Sequence, residues 1–162
     1  MSGLINQVGA KSGVIGYTEL DYEKGIFTPS CVDGGTSFGY NTGNWGTFGE
    51  YIRTGNVVHV SGRVVLTSGS MNTGTLTIGG LPFNQRDAGT GDVPMFVMYL
   101  AACSSVPSNF TQVAGHLNTN TNQISTRALL NTGAQTAFQG VHFGSSGNIN
   151  FSGHYFIYAT TQ

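Results

Sequence analysis

Charge is what this sequence has least of. Asp, Glu, Lys and Arg together make up 8% of its 162 residues, against roughly 25% in ordinary soluble domains. The six Lys and Arg are scattered along the chain and the formal net charge is −1. Nucleic acid needs several basic side chains on one face to neutralise phosphates, so no nucleic-acid partner is expected. No apolar run approaches the ~18 residues of a membrane-spanning helix, so membrane insertion is not expected either. The N-terminus lacks a basic stretch before a long apolar run, which argues against a secretory signal. The two cysteines, Cys31 and Cys103, could form at most one disulfide. They read as small buried hydrophobes rather than as a framework.

Catalytic and metal motifs are also missing. The chain has no G-x-S-x-G, no phosphate-binding Walker loop, no H-E-x-x-H and no C-x-x-C. His59, His116, His142 and His154 stand apart from one another and from any Cys or acid at ligand spacing. His59 could join a metal site only if threefold symmetry gathered several copies of it. No metal, no cofactor and no catalytic residue is expected. Glycoside hydrolysis needs a pair of carboxylates. All seven acids lie at or before Asp92, and Glu19, Asp21 and Glu23 read as a solvated linker.

The chain does have 25 glycines, 39% hydrophobic and 11% aromatic residues. That is enough apolar content to fold, and it fits an all-β protein with many tight turns. The clearest strand runs from Asn56. Val58, Val60, Gly62, Val64 and Leu66 face one way, and Val57, His59, Ser61, Arg63, Val65 and Thr67 face the other. The turn-rich stretch Ser68 to Gly74 leads to a second strand from Thr75 to Ile78, and the two are expected to pair as a hairpin. Val93 to Ala102 is nearly all apolar and reads as a buried strand. Strand pairs are expected at Phe110 to Leu117 and Gln123 to Leu130, with another strand near Ala137 to Phe143.

About nine or ten strands with turns between them predict an antiparallel jelly-roll-like β-sandwich. The predicted division is residues 1–24 as an N-terminal arm and linker, and 25–162 as the sandwich. Leu4, Ile5, Val8, Val14 and Ile15 make the arm apolar, as a segment docking on another subunit or protein would be. Ile149 to Ala159 is partly apolar on both sides, so it is expected to be buried on both, either within the domain or at a subunit interface, for which Phe151, Tyr155, Phe156, Ile157 and Tyr158 are the candidates. Low surface charge points the same way, towards assembly. Two loops have the composition of ligand-binding loops. One carries Tyr40, Asn41, Asn44 and Trp45, and the other Asn118, Asn120 and Asn122. Trp45 itself is expected in the core, because large aromatics dominate core burial.

Three stretches between residues 21 and 83 resemble one family. Asp21 to Pro29 (DYEKGIFTP) resembles the "E-x-G-[ST]-[WF]-T-P" opening of a β-sandwich module of tailed-bacteriophage tail fibres. Gly49 to Val60 (GEYIRTGNVVHV) resembles its "G-x-Y-x-K-I-G-x-x-V-x-V", with Arg53 in place of Lys and Thr54 in place of Ile. Thr73-Gly74 and Ile78 to Phe83 (IGGLPF) resemble its "S-T-G…I-x-G-L-P-F". The resemblance implies a virion structural protein, assembled in the host cytoplasm and usually trimeric, at or near a host-contacting fibre tip. The expected function is therefore a non-enzymatic short tail fibre or adhesin. It would dock on tail or baseplate proteins through its arm and touch a host surface glycan or protein. The alternative is a capsid decoration protein that clamps shell subunits, and the remote one is a polysaccharide depolymerase.

Overall fold

A computed structural model describes residues 22–33, 38–68, 72–87, 93–103, 105–143 and 146–158. The arm residues Leu4, Ile5, Val8, Val14 and Ile15 lie outside the described residues. Eleven strands follow in chain order: β1 (Tyr22–Phe27), β2 (Ser30–Val32), β3 (Gly39–Tyr40), β4 (Phe48–Thr54), β5 (Val57–Ser68), β6 (Thr77–Gly79), β7 (Met95–Ala101), β8 (Phe110–Leu117), β9 (Ile124–Leu130), β10 (Gln135–Ala137) and β11 (Asn148–Phe156). One helical turn, α1 (Gly140–Phe143), precedes β11.

All pairings are antiparallel, and the main path runs β1-β4-β5-β11-β7-β8-β9-β6-β2. Its two ends, β1 and β2, are separated in sequence only by Thr28 and Pro29. The sheet must therefore curl until its first and last strands meet. Thr28 and Pro29 pack against Gly80 where it closes, and a Cβ at Gly80 would stand 2.5 Å from the Thr28 carbonyl. Gly80 also has φ 82, which favours glycine. The fold is thus all-β and antiparallel, as expected, on one continuous curled path.

The concave face holds the core. Along β5 the buried residues are Val58, Val60, Val64 and Leu66, the alternation seen in the sequence. Opposing strands add Ile149, Phe151, Tyr155, Phe96, Leu117 and Ile124. Glycines opposite aromatics let these rings lie flat across neighbouring strands. Gly49 pairs with Phe27, Gly25 with Tyr51, Gly62 with Phe151 and Gly153 with Phe96. A Cβ at any of these four glycines would come closer than 3.0 Å to the facing ring. This inward arrangement needs no charge. It covers the concave surface of a tightly curved sheet with few, large side chains.

Several expectations about the strands change in the structure, among them the burial of Val93 to Ala102, whose Met95, Val97 and Tyr99 are exposed. The predicted hairpin does not form: β5 has β4 and β11 as partners up to Arg63 and Val65 and β3 at Leu66 and Ser68, and β6 pairs with β2 and β9 instead. Both edges of β5 are taken, so the loop after it carries the chain to the far side of the curl. Tyr22 to Lys24, expected in the linker, open β1 and pair with Ile52 to Thr54. The strand expected near Ala137 to Phe143 ends at Ala137 and gives way to α1. Phe151, Tyr155 and Ile157, expected at a subunit interface, are 3%, 0% and 5% exposed within this chain's own core. Phe156 is half-buried and Tyr158 exposed. The convex residues of β11 are polar (Asn150, Ser152, His154), so the strand has one apolar face and one wet one.

Candidate interaction surface

The turn between β3 and β4 is the most prominent surface feature. The Asn41 side-chain oxygen accepts the Gly43 N–H at 2.9 Å, and its carbonyl accepts the Thr47 N–H at 2.5 Å. The Gly46 N–H returns to the Gly43 carbonyl at 2.8 Å. Asn41 N–H donates to the Val65 carbonyl on β5 at 2.9 Å, and the Thr47 hydroxyl and Val65 exchange two further bonds. The turn is thus braced inside and tied to the sheet. On it Trp45 is 85% exposed with φ 64. A bulky residue in the left-handed region is sterically disfavoured, by roughly 1–2 kcal/mol, and here it gains no packing in return. Trp45, expected in the core, instead stands out in solvent because the local turn holds it there.

The other residues of the two candidate loops are mostly engaged within the chain. Tyr40 points inward. Its hydroxyl accepts the Cys31 N–H at 2.7 Å and donates to the Cys31 carbonyl at 2.9 Å, pinning β3 to β2. Burial raises its pKa above the ordinary tyrosine value. Asn120 has φ 58, its N–H donates to the Gln85 carbonyl, and its amide reaches Asp87 at 3.4 Å. Asn122 donates to the Leu81 carbonyl at 3.5 Å, while Asn118 is exposed. This loop therefore holds the segment 84–87 against the end of β11, where the Arg86 N–H donates to the Phe156 carbonyl at 2.8 Å. Asn44 and Trp45 are left as outward side chains of the first loop.

Strand register separates the two loops. The Trp45 turn sits by Val65, whereas segment 84–87 and the Asn118 to Asn122 loop sit by Phe156, which pairs with Val57. Eight residues of β5 span roughly 25 Å at about 3.3 Å each. The two loops are at opposite ends of the sheet and do not form one site.

The convex face between them is apolar in two patches. Ile26, Phe48 and Ile52 lie on β1 and β4, and Met95, Val97, Tyr99 and Leu129 lie on β7 and β9. Each of these is between 38% and 77% exposed. A polar strip on β5 and β11 separates the patches: His59, Ser61, Arg63, Asn150, Ser152 and His154. Two shallow grooves lie on this face. One, of about 470 Å³, runs past Met95, Gln112, His116, Arg127 and Leu129. The other, of about 500 Å³, runs past Lys24, Glu50, Ile52, His59, Ser61 and Ser152. Burial lowers the His116 pKa below its ordinary value and the Arg127 charge lowers it further. Among the described residues, no group of three or more His, Cys, Asp or Glu could hold a metal ion. Among the described residues, no helix is long and apolar enough to cross a membrane.

The remaining polar groups near these surfaces are structural. Glu23 accepts the Tyr51 hydroxyl at 2.5 Å and stands 3.6 Å from Arg53, whose guanidinium also bonds the Gly55 carbonyl and lies over the Phe83 ring. This network ties β1 to β4 and to Phe83. Cys31 and Cys103 are both free thiols.

The fold so defined is a curled, antiparallel, all-β module whose convex face carries two apolar patches divided by a polar strip and whose concave face is lined by aromatic–glycine pairs. A fold of this kind occurs in the crystal structure of the Dettilon tailspike protein, which it matches with a TM-score of 0.69 at 22% sequence identity over 83% of this chain. The chain spans about a quarter of that tailspike's length (24%). No protein-family model and no curated protein matches the chain.

Proposed function

We propose that this chain is a virion structural module of a tailed bacteriophage, a short trimeric fibre or adhesin with a jelly-roll-like body, which contacts the host surface without cleaving it. The observation that carries this reading is Trp45. It is the chain's one tryptophan, held in an unfavourable backbone conformation on a braced turn and 85% exposed. Backbone strain with no packing benefit is a mark of function. A flat exposed indole beside an outward Asn44 suits a sugar ring or another rigid host-surface group. Placement on the tail is supported by the likeness of the fold to part of a tailspike. Assembly with further copies is supported by the two exposed apolar patches on the convex face, which isolated soluble chains rarely leave open.

The lone tryptophan makes the test direct. Its fluorescence should change saturably when the chain is titrated with host cell-surface polysaccharide. Labelled chain should bind host cells, and Trp45→Asn should abolish that binding. Cell binding undiminished in the variant would remove Trp45 from the contact. Release of shorter saccharides on incubation would replace the adhesin by a depolymerase.

A further inference from the structure

We propose that His59 and His154 form a two-imidazole chelate for a divalent transition-metal ion such as zinc, nickel or copper, on the convex face of the sheet. The two residues are directly opposite each other in the β5–β11 register. Both side chains point outward and are exposed. Their ring centroids are 5.5 Å apart, with the planes inclined at 40°. With metal–nitrogen bonds of about 2.0–2.1 Å at a tetrahedral angle, and centroids about 1.2 Å behind the bonded nitrogens, two bound imidazoles have centroids roughly 5.3 Å apart. The pair already stands at the spacing of a chelate.

The setting is rigid. β5 and β11 pair over nine consecutive register positions, and a site on paired strands keeps its geometry better than one on loops. The Phe156 ring meets His154 edge-on at 6.2 Å and 86°, which limits the rotation of one imidazole. Pre-positioning of both ligands spares the ordering cost that a pair of free histidines would bear on binding. Borderline ions accept imidazole with water in their remaining positions. The site lies in the polar strip, apart from Trp45, and does not depend on host binding.

The test uses the full chain without any affinity tag. Zinc chloride or nickel chloride is titrated by calorimetry, and the four histidine ring signals are followed by NMR with zinc. The expected result is one ion per chain, with the His59 and His154 signals moving and those of His116 and His142 still. Affinity should fall at least tenfold in His59→Gln and in His154→Gln, and stay unchanged in His116→Gln. The melting temperature of the unaltered chain should rise with metal concentration. Absence of saturable binding, or affinity in both variants undiminished from that of the unaltered chain, would overturn the site. Movement of the His116 or His142 signals instead would do the same, and the ring signals decide the matter even if a variant folds poorly.

Discussion

Gly62 on β5 faces Phe151 on β11, and the Phe151 ring lies where a Cβ on Gly62 would stand. The ring is 3% exposed and packs at 6.4 Å from Phe27, which in turn covers Gly49. Adding one methyl at Gly62 must push a buried ring off its neighbours. Gly62→Ala should therefore destabilise the chain by about 1–3 kcal/mol, the usual cost of overpacking. Urea denaturation measures it. Combining it with Phe151→Leu should recover part of the loss, because the two residues share one space. Strict additivity would show that they do not.

The Trp45 turn predicts a trade between stability and function. Trp45→Asn puts a residue that tolerates the left-handed region where Trp45 has φ 64. No core contact is lost at a side chain that is 85% exposed. Thermal stability should be equal or higher, while host-cell binding disappears. A destabilised variant would mean that the indole has a packing role.

Thr126 on β9 is fully buried, and its hydroxyl lies 2.6 Å from the Leu76 carbonyl and 3.1 Å from the Phe138 carbonyl. The backbone joins the same three residues, with N–H donors at Leu76, Thr126 and Phe138. Thr126→Val keeps the shape and removes the donor. It should cost about 1–3 kcal/mol, because buried carbonyls lose a partner that water does not replace. Thr126→Ser should cost less in hydrogen bonding while losing a methyl. A neutral Thr126→Val would show that the backbone bonds suffice.

Alkaline pH should weaken the fold. Burial, aided by the Asp33 charge, pushes the Cys31 thiol from 9.0 up to about 12, and burial pushes Cys103 up to about 11. Burial raises the Tyr155 hydroxyl as well. The folded chain keeps protons on the thiols that the unfolded chain releases above pH 9.0. Their contribution is therefore complete below pH 9.0 and is lost as pH rises from there towards 11 and 12. Urea midpoints measured at pH 8 and near pH 10 should fall with pH, and the fall should be smaller in Cys31→Ala. A flat profile would contradict the burial of these thiols.

Much of the body was legible because it rests on local pattern. The alternation of Val58, Val60, Val64 and Leu66 is a property of one strand, and it appears unchanged as the buried face of β5. The Asn41 to Gly46 turn was legible from its Asn and Gly content for the same reason. What the sequence hides is partnership between distant strands. Nothing local says that Gly62 belongs under Phe151, that β6 leaves β5 for β2 and β9, or that His59 meets His154. Trp45 was misjudged because size argues for the core, whereas a turn tied to Val65 decides where the side chain points. The last strand was misjudged for a related reason. Its apolar count includes Phe156 and Tyr158 near its end, while its convex middle is Asn150, Ser152 and His154.

The central claim is that this chain belongs to the tail of a phage particle and faces the host there. Electron microscopy of purified particles carrying a C-terminal tag on this chain, with the tag labelled, tests it most directly. The account predicts label at the tail or baseplate, at threefold sets of positions. Label spread over the head would make the chain a decoration protein, and particles without label would contradict a virion role altogether.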